Sequence, residues 1–340
     1  VKSKSNVQIV NWLLTRRCNL RCDYCGIVRN PTTKIYPNIK YYENNEMTSE
    51  YVISQLSKFK NIYPDCFHIF YGGEPLLYKG LSDVVSYCNE KEIWYTIITN
   101  NSVGIRPEIT KLIDRVGRLQ GLTASIDPVI YDPDMSEKKK YRKEKSLAGL
   151  KNLISLSDRV DDMVAEITID STNLEYVDLL VKKLSSYNIW SSITFVDPKK
   201  SDYYDFSHVT VSDELVYDSQ ELRILFNKMI DDGLKIHMAE ELLDRTLNIL
   251  PSEFDCELEN DIHNLTIDAD GSIRLCLRIR GVKTTDFKID QFFEQFENIH
   301  EKMSNDKSKY CKKCNWTCPI MSKLAVEENM TKEILHENRK

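Results

Sequence analysis

Gln8-Ile9-Val10-Asn11-Trp12-Leu13-Leu14 runs through Thr15-Arg16-Arg17 into Cys18-Asn19-Leu20-Arg21-Cys22-Asp23-Tyr24-Cys25. The apolar run Gln8–Leu14 reads as a strand. The three cysteines, spaced Cys18-x3-Cys22-x2-Cys25, occupy the loop directly behind it. Three thiolates in so short a loop suit a cubane iron–sulfur cluster, whose four irons then leave one open to a small molecule. Zinc is the competing ligand. Structural zinc takes four protein ligands, and no histidine or fourth cysteine lies close by; catalytic zinc on three cysteines stays open.

Five further strands are expected at Cys66–Tyr71, Trp94–Thr99, Leu122–Ile126, Val164–Ile169 and Ile189–Val196. Helical periodicity fills the intervals. Thr48–Lys60 brings Val52, Ile53, Leu56 and Phe59 to one face, and Leu174–Ser186 does the same with Val177, Leu180, Val181 and Leu184. More helices are expected near Leu81–Glu90, Pro107–Val116, Ser146–Ser157 and Asp213–Asp232. Strands alternating with helices predict an α/β fold with a parallel sheet and right-handed crossovers. Six units are too few for a closed eight-stranded barrel, so an open, partial TIM-like (β/α)6 barrel is expected, with its chemistry at the C-terminal strand ends. The unusual motifs obey that rule. The cysteines follow the first strand, Tyr71-Gly72-Gly73-Glu74-Pro75 the second, Thr99-Asn100-Asn101 the third, and Ser125-Ile126-Asp127 ends the fourth.

The pattern changes after about residue 235. A hairpin is expected over His263–Cys276, turning at Asp268-Ala269-Asp270-Gly271. That turn lacks the remaining ligands of a calcium loop. Cys256, Cys276, Cys311, Cys314 and Cys318 form a second group, and Thr317-Cys318-Pro319 leads into a final helix with a charged tail. The expected division is 1–235 for the barrel, 236–325 for a small cysteine-rich module and 326–340 for the tail. Cys66 and Cys88, which stand alone, read as core.

The 340 residues are 41% apolar and 29% charged, with a net charge of −6, ordinary for a soluble globular protein. The acidic balance weighs against a large nucleic-acid footprint. No stretch approaches the roughly 18 apolar residues of a membrane span. The first ten residues lack a signal-peptide core, and no hydrophobic run follows Arg16-Arg17 as it would in an export signal. A cytoplasmic location is expected. There, ten cysteines point to metal rather than to disulfides.

Cys18-Asn19-Leu20-Arg21-Cys22-Asp23-Tyr24-Cys25, with an aromatic residue before the last cysteine, resembles the signature of the radical S-adenosylmethionine (SAM) superfamily. Gly72-Gly73-Glu74-Pro75 behind the second strand strengthens the resemblance, which covers about residues 7 to 235. It implies a 4Fe–4S cluster on Cys18, Cys22 and Cys25, whose open iron is chelated by the methionine part of SAM. One electron then breaks the sulfur–carbon bond, and a 5′-deoxyadenosyl radical takes hydrogen from the substrate; the cofactor carries the chemistry and the protein orients it. The resemblance further implies that Gly72, Gly73, Glu74 and Pro75 meet the methionine ammonium and that the backbone at Tyr24 touches adenine. Ser125 and Asp127 are implied near the ribose or methionine end. Asn100 and Asn101 are expected on the same rim. Arg142 is a candidate for the SAM carboxylate, against the bland reading of solvated charge in Lys138–Lys143. Ser146 is its partner, or else a helix N-cap.

The second cysteine group resembles the SPASM/Twitch extension of the same superfamily. Five cysteines, where the full module carries seven, imply the shorter form with one auxiliary 4Fe–4S cluster. Cys256 and Cys276 would supply two ligands, and two of Cys311, Cys314 and Cys318 the others. Structural zinc is the alternative. Arg278 and Arg280 alternate with Leu277 and Ile279, so one strand face can grip a substrate carboxylate or phosphate, or simply meet solvent.

The expected substrate is a peptide or a small molecule, with a reductant such as flavodoxin or ferredoxin. Seventeen residues precede Cys18, so no separate peptide-recognition domain is expected ahead of the barrel. The loop Pro128–Lys145, with Lys138, Lys139, Lys140, Arg142, Lys143 and Lys145, keeps a nucleic-acid substrate as an alternative. A non-catalytic iron–sulfur scaffold or electron carrier is the alternative from another class, and the Gly72–Pro75 turn opposes it.

Overall fold

The computed structural model describes residues 7–20, 45–102, 104–126, 148–169, 174–195, 219–236, 264–274 and 287–310. Six strands carry the barrel: β1 Ile9–Thr15, β2 Phe67–Gly72, β3 Tyr95–Thr99, β4 Leu119–Ser125, β5 Val160–Ile169 and β6 Trp190–Phe195. Each pairs in parallel with the next. The intervening helices are Ser49–Ile62, Leu81–Glu90, Arg106–Val116, residues 148–156 and Val177–Ser185, with Ser219–Asp231 behind β6. The expected barrel strands and helices are found within the described residues, with ends that differ by a few residues, and the helix expected after Pro319 lies outside them. The expected helix Leu174–Ser186 opens instead with a short 3₁₀ turn, Leu174–Tyr176.

A hairpin continues the sheet. Strand β7, Asn264–Ile267, runs parallel to β1, and β8, Ile273–Arg274, returns antiparallel to β7. The sheet order is therefore β6-β5-β4-β3-β2-β1-β7-β8. Expected within a separate module, the hairpin is bonded to the barrel's first strand. Its turn is as read from the sequence: the Gly271 N–H donates to the Asp268 carbonyl at 2.8 Å. Gly271 takes φ +81°, a conformation glycine adopts without a side-chain penalty.

Strand alternation sorts residues between two faces. Val10, Trp12 and Leu14, His68 and Phe70, Ile97, Leu122, Ala124, Ala165 and Ile167 turn toward the helices and are buried. They pack against Val52, Leu56, Phe59, Val84, Val85 and Cys88 in one core. Cys66 and Cys88 belong to this core, and burial pushes both thiols well up. A polar group sits here satisfied: Trp12 Nε1–H donates to His68 Nδ1 at 3.0 Å. Burial, aided by Lys60, lowers the His68 pKa to about 3, so the imidazole stays neutral. Among the described residues no helix is long and apolar enough to cross a membrane.

Candidate functional site

The C-terminal strand ends form a rim, and its β1–β3 part is a bonded lattice. After β1 the chain passes over the end of β2. The Gly73 N–H donates to the Thr15 carbonyl at 2.8 Å, and the Glu74 N–H to the Arg17 carbonyl at 2.7 Å. A Cβ on Gly72 would stand 2.3 Å from the Thr15 carbonyl oxygen, and one on Gly73 2.3 Å from that of Arg17. The paired glycines are thus required by the close approach of two backbones. Pro75 opens a short 3₁₀ turn, Pro75–Leu77, which Glu74 caps.

Glu74 is fully buried. Its carboxylate accepts from the Leu76 N–H at 3.2 Å, the Thr99 hydroxyl at 2.9 Å and the Asn100 N–H at 2.8 Å. The Glu74 side chain therefore ties the end of β2 to the end of β3.

Cys18 lies half-buried just beyond β1. Its Sγ accepts from the Leu20 N–H at 3.4 Å and from Asn100 Nδ2 at 3.7 Å. Two N–H donors aimed at one sulfur suit a thiolate, the form in which cysteine binds iron or zinc. Asn100 Nδ2 also donates to Asn19 Oδ1 at 2.8 Å, and Asn19 Nδ2 to Ser102 Oγ at 2.8 Å.

Asn101, expected beside Asn100 on the rim, points elsewhere. It is buried at φ +47°, which asparagine tolerates. Its Nδ2 donates to the Gly149 carbonyl at 3.1 Å, and its Oδ1 accepts from Asn152 at 2.8 Å. It anchors the end of β3 to helix 148–156, while its neighbour Asn100 turns to the cysteine.

The two arginines ahead of Cys18 have separate tasks. Arg17 pairs with Glu46 at 2.9 Å, and Glu46 also accepts from Thr15. Arg16, buried, grips Asp268 with two bonds of 3.0 and 2.8 Å, and Arg274 reaches the same carboxylate from β8. Burial alone would raise the Asp268 pKa. The two guanidiniums and the Ala269 N–H outweigh it and hold the carboxyl below its ordinary value. Asp270 is bonded to Lys288 and Ser272, so both turn carboxylates are engaged by the chain's own groups. A buried ion cluster thereby joins the cysteine loop to the hairpin.

Toward β4–β6 the lumen face is polar. Ser125 ends β4, and its partner across β5 is Glu166, whose partner on β6 is Ser192. The Thr194 hydroxyl donates to the Glu166 carboxylate. Burial pushes the Glu166 pKa above the usual carboxylate range, and the bonds from Thr194 and Ser192 only partly offset that. Glu166 was not expected from the sequence. The signal was available: in Val164-Ala165-Glu166-Ile167-Thr168-Ile169 the acid shares the alternate face with Val164 and Thr168.

Of the expected site residues, the structure brings Cys18, Gly72, Gly73, Glu74, Pro75 and Asn100 together, with Ser125 further along the rim. Cys22, Tyr24, Cys25, Asp127, Arg142, Ser146, Cys256, Cys276, Arg278, Arg280, Cys311, Cys314 and Cys318 lie outside the described residues.

Known proteins resemble parts of this chain in sequence or in fold. Residues 12–169 match the Radical SAM superfamily. Over 154 residues the chain is 31% identical to the Fe-coproporphyrin III synthase of Methanosarcina barkeri (strain Fusaro / DSM 804); the match covers 44% of this chain and 35% of that protein. It therefore spans about a third of the relative's length. Streptococcus suis SuiB bound to S-adenosylmethionine superposes with a TM-score of 0.60 at 15% identity, over 85% of this chain and 66% of SuiB. Native anSMEcpe with bound AdoMet gives a TM-score of 0.54 at 13% identity, over 97% of this chain and 99% of that one. At such identities these two likenesses establish the fold. Residues 12–169 thus match a radical SAM domain in sequence, and the parallel sheet they build agrees with that match.

Proposed function

We propose that this chain is a radical SAM enzyme of the SPASM/Twitch type acting on an unactivated C–H bond of a peptide. The observation that carries the reading is the Cys18 sulfur, held by two N–H donors at the end of β1 and bonded through Asn100 to the buried Glu74 of the glycine turn. Cys18, Cys22 and Cys25 would hold a 4Fe–4S cluster. When bound and reduced, that cluster supplies the electron that splits SAM into methionine and a 5′-deoxyadenosyl radical, the species that takes hydrogen from the substrate.

The chain's own groups orient the partners. The turn Gly72–Pro75 is assigned to the methionine end of SAM, and Tyr24 to adenine. Ser125 and Asp127 are assigned to the ribose side, and Arg142 with Ser146 to the carboxylate. Glu74 holds the turn rather than the ligand. Cys256, Cys276 and two of Cys311, Cys314 and Cys318 would hold one auxiliary cluster in a module over 236–325. The hairpin would be the seam between that module and the barrel of 1–235, with 326–340 as a tail. Arg278 and Arg280, close behind β8, are assigned to the substrate. A flavodoxin or ferredoxin would deliver electrons in the cytoplasm.

Support for a peptide comes from relatives in fold. SuiB is known bound to the precursor peptide SuiA, and anSMEcpe to a Cp18Cys peptide. A second reading, an anionic small molecule, rests on the 31% identity to the Fe-coproporphyrin III synthase. Iron and sulfide counting after anaerobic reconstitution tests the cluster content. About eight irons per chain is expected for two cubanes, and about four irons with one zinc overturns the auxiliary cluster alone.

A further inference from the structure

We infer that Asn100 is a positioning residue that sets the reduction potential of the cluster on Cys18, through an N–H···S bond from its side-chain amide. The inference rests on the cluster reading above.

The geometry fixes which end of the amide faces the sulfur. The Ser102 N–H donates to Asn100 Oδ1 at 2.9 Å, which claims the oxygen. The nitrogen then faces two acceptors, Asn19 Oδ1 at 2.8 Å and Cys18 Sγ at 3.7 Å, and it has two hydrogens to give. Turned over, the amide would set its oxygen against both acceptors and a nitrogen against the Ser102 N–H. The ring closes because Asn19 Nδ2 donates to Ser102 Oγ at 2.8 Å. The backbone is held as firmly, since the Asn100 N–H donates to Glu74 Oε2 at 2.8 Å. Sulfur's larger radius puts N–H···S contacts beyond the lengths usual for oxygen. The acid of the glycine turn is thereby connected to the cysteine sulfur through one asparagine.

The sign of the effect follows from charge. Reduction adds an electron to the cluster and its thiolates. A donor aimed at a ligating sulfur stabilises the more negative, reduced form more than the oxidised one, so it raises the potential. The Leu20 N–H, which also faces Cys18, remains when Asn100 is replaced.

The test is an anaerobic redox titration of reconstituted protein. It follows the electron paramagnetic resonance component that changes when SAM is added, which separates this cluster from any other. Asn100→Leu removes the donor, and the midpoint should move to a more negative potential. Asn100→Asp keeps the shape and the acceptor for Ser102 and places a charge beside the sulfur. It should move the midpoint further the same way, and it serves where the leucine variant does not fold. Asn101→Gly is the control for loosened structure: its side chain holds the same strand end without touching the sulfur, and its midpoint should stay at the wild-type value. An unchanged midpoint in both Asn100 variants overturns the inference, as does an equal shift in Asn101→Gly. Wild-type protein without a SAM-sensitive signal overturns the cluster reading itself, and the inference with it.

Discussion

The two halves of the rim are built on different principles. At the ends of β1, β2 and β3 every acid described meets a committed donor. Glu74 accepts three bonds in complete burial, Glu46 holds Arg17, and Asp268 is clamped between Arg16 and Arg274. At the ends of β4, β5 and β6 the acid Glu166 is bonded to hydroxyls, and its proton affinity is raised rather than lowered. A site that must hold a cluster in one geometry gains from the first arrangement, because bonded groups do not reorganise. A face that meets a ligand gains from the second, since it keeps bonding capacity available. On the function proposed above, the first half would be the cofactor end and the second the end that meets the substrate.

Breaking the clamp should have the largest effect. Asp268→Asn leaves two guanidiniums without their carboxylate, one of them buried, and should destabilise the fold by about 3–5 kcal/mol in chemical denaturation. The folded Asp268 pKa lies below its ordinary value, so its contribution is complete above the ordinary aspartate pKa. It fades only as pH falls through the lowered one. A loss under about 1 kcal/mol would mean that the cluster behaves like a surface pair and that the hairpin is not held through it.

Glu74→Gln comes next. The amide puts an N–H₂ group among three donors, for an expected loss of about 2–3 kcal/mol. The variant should also bind less iron after reconstitution. Stability and iron content at wild-type levels would remove the distinction between the two halves.

His68 gives a smaller, pH-dependent effect behind β2. Its folded pKa of about 3 lies below its ordinary 6.5. Unfolded chain thus binds a proton that folded chain refuses, and stability is lost as pH falls below 6.5. The slope approaches about 1.4 kcal/mol per pH unit. His68→Gln, which can still accept from Trp12, should flatten that slope between pH 6.5 and 5 relative to wild type.

The smallest change is expected at the ends of β4, β5 and β6. The folded Glu166 pKa is raised, so the ionised form opposes folding once pH exceeds it. Glu166→Gln should therefore leave stability at neutral pH unchanged or raise it by about 1 kcal/mol or less. A loss comparable to that of Glu74→Gln would show that Glu166 is a scaffold group after all.

What the sequence revealed follows the range of its signals. Periodicity and turn chemistry are local, so the six strands, their helices and the Asp268–Gly271 turn were legible. The join of β7 to β1 was not, because parallel pairing across some 250 positions leaves no mark near either strand. Nothing in the sequence marks Arg16 as a structural anchor, since its partner Asp268 is 252 residues away. Glu74 and Asn101 are legible as rim residues, but their scaffold bonds, to Thr99 and Asn100 and to Gly149 and Asn152, join positions far apart in the chain. A motif locates a residue, while only the bonded neighbours show whether the side chain faces a ligand or the scaffold.

The central claim is that the Cys18 rim holds the cluster that cleaves SAM. Its most direct test is the formation of 5′-deoxyadenosine from SAM under anaerobic reduction, in wild type and in Cys18→Ala, with Cys66→Ala as a control for a buried cysteine. Wild type and Cys66→Ala should both form 5′-deoxyadenosine, and Cys18→Ala none. Cleavage that survives the loss of Cys18, or wild-type protein that reconstitutes a cluster yet leaves SAM intact, would contradict the account.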